Sequence, residues 1–226
     1  MGYTKKDFEN QSIRKTEKLA YGFSNFGGNL VYATVSSFAT LFYTDSVGIA
    51  AATVGTMMLI ARIFDGVSDV AMGNIIDKTH RRSGQAKPWY VWSLLPLVLS
   101  LVLVFAAQPT WGNTTKVVYM YITYIWSAVF CYTANSLAAV SMQSLMTGNK
   151  KERMKLNASY QMCGFICIIA VNIVTSNLAS QIGWLRLSVI YAIIATFCLL
   201  FMVISCKERK QLVVSEEKEA EKVKIS

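Results

Sequence analysis

Residues 62–69 read RIFDGVSD, which places Arg62, Asp65, Ser68 and Asp69 at i, i+3, i+6 and i+7 in otherwise apolar sequence. That spacing sets all four on one face of an α-helix. Two carboxylates one turn apart repel each other, so a proton or a metal cation held between them relieves the repulsion. Hard oxygen donors, here the aspartates with the Ser68 hydroxyl and a hydroxyl from another helix, suit Na+ or H+ and not a soft transition metal. The competing reading makes Arg62 a buried brace that neutralises one aspartate. A single arginine cannot neutralise both, so the quartet reads first as a coupling-ion site.

Such a site needs an element that carries it into an apolar medium. The chain has 226 residues, 54% hydrophobic and 15% charged, with a mean hydropathy of +0.39. Those values lie outside the usual soluble range. A bilayer core of ~30 Å takes about 20 apolar helical residues. Spans of that order run at 20–43, 48–75, 89–107, 117–146, 158–181 and 184–206. The predicted fold is therefore an all-α membrane protein, a six-transmembrane-helix bundle. Within the second span, Asp69 lies roughly 12 Å and Asp65 roughly 18 Å from Asp77 at its end, both inside the hydrocarbon. Ionised side chains at that depth are costly unless they face a bundle interior, pair, or bind an ion. The first span carries Gly22, Gly27 and Gly28, which are tolerated where neighbouring helices approach closely. The third opens with Trp89, Tyr90 and Trp92, where an interfacial aromatic belt would lie.

The net charge of +9 comes from lysines and arginines confined to four stretches. The segment through Lys18 holds five, DKTHRRSGQAK four, GNKKERMK four and the tail after Cys206 six, making 19 of the 22. The intervening turns at 44–47, 108–116 and 182–187 hold only Lys116 and Arg186. This alternation predicts a multi-pass protein of the plasma membrane with both termini cytoplasmic. It is a topological pattern and not a basic face for nucleic acid. Residues 1–19 read as a cytoplasmic segment without an apolar signal region, 20–206 as the bundle, and 207–226 as a charged tail, solvated or weakly helical. Asp77, Arg81, Arg82 and Lys87 in the first basic loop are either a cytoplasmic gate that latches the second and third spans, or plain topology-setting charge.

Other chemistry is sparse. Cys131, Cys163, Cys167, Cys198 and Cys206 lie in or at the ends of apolar spans, form no CxxC pair, and read as free thiols. No HExxH or GxSxG occurs, and the single histidine, His80, sits in a basic loop, so an enzyme is not expected. No cofactor is expected beyond the coupling ion. The fourth span contains YTANSLAAVSMQS, in which Thr133, Asn135, Ser136 and Ser141 either line a cavity or bond to neighbouring helices. Polar residues on the first, second, fourth and fifth spans, with the third and sixth nearly bare, predict a water-filled pocket among those four.

The segments KLAYGFSNFGGN, FYTDSVG, ARIFDGVSDVAMGNIIDKTHRRSGQAKPW and ERMKLNASYQ resemble the N-terminal half of the glycoside–pentoside–hexuronide:cation symporters, the melibiose permease-like group of the major facilitator superfamily. The resemblance runs from about Lys18 to the tail. It implies half of a twelve-helix transporter made of two six-helix bundles, alternating access, and co-transport of a sugar with Na+, Li+ or H+. The family's cation site falls on Asp65, Asp69 and, from the fourth helix, Thr133. A third ligand on the second helix, asparagine in melibiose permease, is Ser68 here. The sugar-gripping aspartates and arginine of that permease fall on Asn29, Ser136 and Gln161, and its stacking tryptophan on Val140. Without the charge-assisted bonds those groups supply, a melibiose carrier is not expected; a different glycoside fits, or a uronide met by Arg62 or by the missing half. The proline expected after the second aspartate is Val70. Expected partners are a sugar or glycoside solute, the lipid bilayer and a second six-helix half. The length reads as that of a truncated gene, a split transporter or a partial chain. The alternative function is a half-transporter acting only as a membrane binding or scaffold subunit.

Overall fold

Backbone polar groups in hydrocarbon must be satisfied within their own segment, which leaves long helices as the available element. A computed structural model, describing residues 8–9, 12–79 and 84–209, has six of them among those residues. They are α1 (Lys15–Leu41), α2 (Ala51–Lys78), α3 (Lys87–Val104), α4 (Asn113–Met146), α5 (Lys150–Ile182) and α6 (Trp184–Ser205). The turns of α1 widen into π-helix at its end over Phe42–Ser46, and those of α4 do so in its middle over Trp126–Tyr132. The predicted spans match these helices to within a few residues, except that α5 begins at Lys150 and not near 158. Its basic first turns are helical because Asn149 caps them: the Asn149 side-chain oxygen accepts from the backbone N–H of Lys151 and Glu152.

By length and composition, α2 to α6 are each long and apolar enough to cross a membrane. The first helix has 27 residues, enough to span, but Ser24, Asn25, Asn29 and Thr34 dilute its hydropathy, and all four are buried. A helix wrapped by its neighbours meets little lipid and has no need to be apolar all round. Neighbours follow the order α2, α4, α3, α6, α1, α5, each packed on the next. The two least enclosed, α2 and α5, stand at the ends of that order.

Small residues set how closely α1 packs. A Cβ added to Gly22 would lie 2.7 Å from Ser159 Oγ and 2.8 Å from Cys163 Sγ on α5, and one on Gly27 would lie 3.0 Å from the Ala195 carbonyl on α6. Polar side chains complete the seams, as expected where hydrophobic driving force between helices is weak. Ser100 donates to Ser127 at 2.9 Å and Asn135 to Ser93 at 3.1 Å, joining α3 and α4. Asn135 therefore serves a helix seam and not a cavity wall. At the opposite end from the basic loops, Phe42, Phe105 and Trp184 form an aromatic cluster, with Phe105 stacked on Trp184 at 5.5 Å.

The aromatic belt expected at the start of α3 is only partly there. Trp92 is exposed, but Tyr90 is fully buried, because it turns inward beside Tyr21 and Ser24 of α1 and Tyr160 of α5; the segment that follows α6 covers the start of α3. The Glu208 carboxylate accepts from the backbone N–H of Gln85, Ala86 and Lys87, capping α3 across more than a hundred residues of sequence. Lys87 donates to the Cys206 carbonyl at 2.9 Å. Arg209 pairs with the buried Glu17 of α1 at 2.6 Å and donates its backbone N–H to Leu145 of α4. Residues 207–209 are thus docked, in contrast to the solvated tail expected; the rest of that tail lies outside the described residues. Buried Glu152 gathers Lys18 at 2.6 Å, Lys155 at 2.9 Å and the backbone N–H of Ile13.

Two outcomes follow from this packing. Gly22→Val should cost about 1–3 kcal/mol by forcing α1 off α5, read as an earlier thermal transition in detergent; Gly55→Ala, whose Cβ meets nothing, should leave that transition in place. Glu208→Gln should cost about 1 kcal/mol and speed hydrogen exchange at the amides of residues 85–87 relative to those of mid-helix α3.

Candidate cation and solute site

The second helix buries a narrow stripe made by Val54, Met57, Ala61 and Ile76. Asp65 and Ser68 fall in register with it and are half-buried, while Arg62 and Asp69 are exposed along its edge. At about 100° per residue, Asp69 stands about 40° and Arg62 about 60° round the helix from Asp65, in the same sense, with Ser68 about 60° the other way. The two aspartates therefore share one side of α2, as the spacing predicted.

Each of the four has a different partner. Asp65 accepts a hydrogen bond from the Thr133 hydroxyl of α4 at 3.2 Å, and Asp69 faces Asp65 and that same hydroxyl. Ser68 donates to the Asp65 carbonyl in its own helix at 2.9 Å and to the Val129 carbonyl of α4 at 3.2 Å. Its hydroxyl proton is spent on backbone, and it braces α2 against α4 at a level between the two carboxylates. Arg62 makes no ion pair with either aspartate; among the described residues, the ion pairs all lie at Glu17 and Glu152. Its guanidinium instead donates to the Tyr32 hydroxyl of α1 at 3.4 Å. Two acids thus sit side by side, facing a neutral hydroxyl donor and no paired cation.

Thr133 owes its position to the wide turns that end at Tyr132. A π stretch shifts the phase of the residues that follow it, and such stretches recur at functional sites. Tyr132 itself stacks on Tyr32, with ring centroids 4.3 Å apart and planes 20° from parallel, linking α4 to α1 beside the aspartates. Neither tyrosine stood out in the sequence. An aromatic residue beside a threonine in a polar stretch of a membrane helix was the one available signal.

The remaining sequence candidates are spread over three helices. Asn29 is buried in α1 and donates to both the backbone carbonyl and side-chain oxygen of Asn25, while Asn25 donates to the Tyr160 carbonyl of α5 at 2.8 Å. Ser136 is half-buried and donates to the Thr133 carbonyl. Gln161 and Val140 are exposed from the bundle. Of the loop cluster, Arg81 and Arg82 lie outside the described residues. Asp77 is exposed and contributes its carbonyl to Gln85, and Lys87 turns to the end of α6.

Residues 20–226 match the family model described as MFS/sugar transport protein. The isoprimeverose transporter of Lactiplantibacillus pentosus is 35% identical over 211 residues, covering 89% of this chain and 44% of that protein. The uncharacterized symporter YnaJ of Bacillus subtilis (strain 168) is 32% identical over 217 residues, 92% of this chain and 46% of that protein. A glucuronide carrier protein homolog of Escherichia coli (strain K12) is 31% identical over 162 residues, 70% of this chain and 35% of that protein. The chain spans less than half the length of each of these relatives, which are named as transporter, symporter and carrier and not as enzymes. The chain belongs to the sugar-transport family of the major facilitator superfamily, among the glycoside–pentoside–hexuronide symporters.

Proposed function

We propose that the chain supplies the ion-binding half of a symporter that moves a glycoside or uronide by alternating access, coupled to Na+ or H+, with a second six-helix half across the cavity. The observation that carries this reading is the hydrogen bond from Thr133 on α4 to Asp65 on α2, with Asp69 one turn further along at the open edge. A cation entering between the carboxylates takes oxygen ligands from two helices at once. That draws α4 and α2 together and reshapes the cavity they border, so ion and solute strengthen each other's binding reciprocally. Ser68 ties the same two helices together beside the pair.

Relatives named for isoprimeverose and for glucuronide support a glycosidic solute. On this chain Asn29, Ser136 and Gln161 would offer neutral amide and hydroxyl groups to a polyol, Val140 an apolar contact, and Arg62 a partner for a uronide carboxylate. The positive-inside pattern supports cytoplasmic termini in the plasma membrane. On that side Asp77, Arg81, Arg82 and Lys87 would form the gate.

The test is uptake of radiolabelled isoprimeverose and of a radiolabelled glucuronide into proteoliposomes holding the full transporter, under imposed Na+ or H+ gradients. Asp69→Asn should abolish the response to either gradient. Thr133→Ala should raise the ion concentration for half-maximal uptake about tenfold, the loss of one hydrogen bond to a charged group. Gradient-driven uptake that survives Asp69→Asn unchanged would end the symport reading.

A further inference from the structure

The contacts around the carboxylate pair close into a ring. Asp65 accepts from Thr133; Thr133 follows Tyr132 in the chain; Tyr132 stacks on Tyr32; and Tyr32 accepts from Arg62, one turn before Asp65 on α2. Three helices contribute, and one element stands apart from what electrostatics alone would choose. An arginine three residues before an aspartate on the same helix is placed to pair with it, and a carboxylate is a stronger partner for a guanidinium than a neutral phenol. Arg62 nevertheless goes to the phenol.

From this geometry we infer that Tyr32 is a positioning residue of the cation site: its hydroxyl parks the Arg62 guanidinium on α1 and so keeps a tethered cation off Asp65 and Asp69. The inference rests on the proposed cation-site reading and adds a residue to it. Arg62 is a tethered cation one turn from Asp65, and a mobile ion must compete with it for the same two carboxylates. Parking requires a ring that cannot swing away, which the stack on Tyr132 provides, and an acceptor at the right height, which the hydroxyl provides. Because Tyr132 is joined to Thr133, a movement of Thr133 when an ion binds reaches Tyr32 through the stacked rings. Asn29 lies one turn before Tyr32 on α1, so the ring of contacts also adjoins the helix face assigned to the solute.

The experiment separates the hydroxyl from the ring and the arginine from both. The full chain, in lipid nanodiscs, is treated with N,N′-dicyclohexylcarbodiimide, which modifies protonated carboxyls in apolar surroundings, and labelling of Asp65 and Asp69 is followed by peptide mass spectrometry. In Tyr32→Phe the stack remains but the acceptor is lost. Arg62 then falls onto Asp65, and labelling of the pair slows by about fivefold, the ratio an exposed ion pair gives. In the Arg62→Gln background, Tyr32→Phe should have no further effect, because there is no guanidinium left to release. Labelling that is as fast in Tyr32→Phe as in the native chain overturns the role of Tyr32. So does a slowing that persists without Arg62, since that is the mark of a merely structural hydroxyl. Native carboxylates that resist the reagent altogether would overturn the cation-site reading itself, and that outcome is distinct because it appears before any substitution at Tyr32.

Discussion

Two carboxylates with no paired cation, held side by side on a membrane helix, are the constraint around which this bundle is arranged. Placing even one ionised group in hydrocarbon is costly, and two of the same sign are mutually repulsive. Asp65 and Asp69 are tolerable only on the less enclosed side of α2, where an ion or solvent can reach them. The burial of α2 is uneven: a thin apolar stripe from Val54 to Ile76 faces the bundle, and Arg62 and Asp69 lie along the open edge among exposed apolar side chains such as Ile63, Phe64 and Val67. The α4 groups opposite are neutral. In the proposed cation site a fixed cation there would compete with the ion, whereas the Thr133 hydroxyl, which donates to Asp65, would be free to turn and act as a ligand.

The rest of the architecture keeps α1 and α4 at a fixed distance from this pair. Glycine contacts bring α1 close to α5 and α6, and serine and asparagine bonds bind α4 to α3. At the basic end, three acidic residues from separate parts of the chain, Glu17, Glu152 and Glu208, take up backbone N–H groups and basic side chains. These closures lie far from the aspartates. Rigidity at the ends and along the seams leaves the open edge of α2 as the place where small rearrangements are least opposed.

How far this was legible in the sequence depended on the range of the interaction. The shared side of Asp65 and Asp69 was legible because helical periodicity is local and α2 is regular. The six helices were legible because a bilayer imposes a length, although the polar α1 had to be accepted on its glycines and its place in the pattern. Thr133 was legible as a polar residue of the fourth span, but as a partner of the aspartates it entered only through resemblance to a family, since Asp65 lies 68 residues away. Tyr32 was invisible: nothing local marks a tyrosine whose partners are an arginine 30 residues on and a ring on another helix. The docking of Glu208 and Arg209 was missed for a related reason. A short charged stretch after a membrane span sets topology in any case, and a second task as a helix cap leaves no trace in composition. The burial of Tyr90 was missed because its neighbours Tyr21, Ser24 and Tyr160 come from two other helices.

The wide turns of α4 at Trp126–Tyr132 carry one more implication. A π turn holds an extra residue relative to an α turn, and that extra residue is spare thread in the screw. Tightening the thread would rotate everything on one side of it by about 100° relative to the other, without breaking the helix or leaving a carbonyl unsatisfied for long. Thr133 is the first residue past the wide turns, so it is the side chain whose bearing is most sensitive to their pitch. The grip of α4 on α2 at Asp65 therefore depends on the pitch of these wide turns and not only on how the ends of the helix are packed.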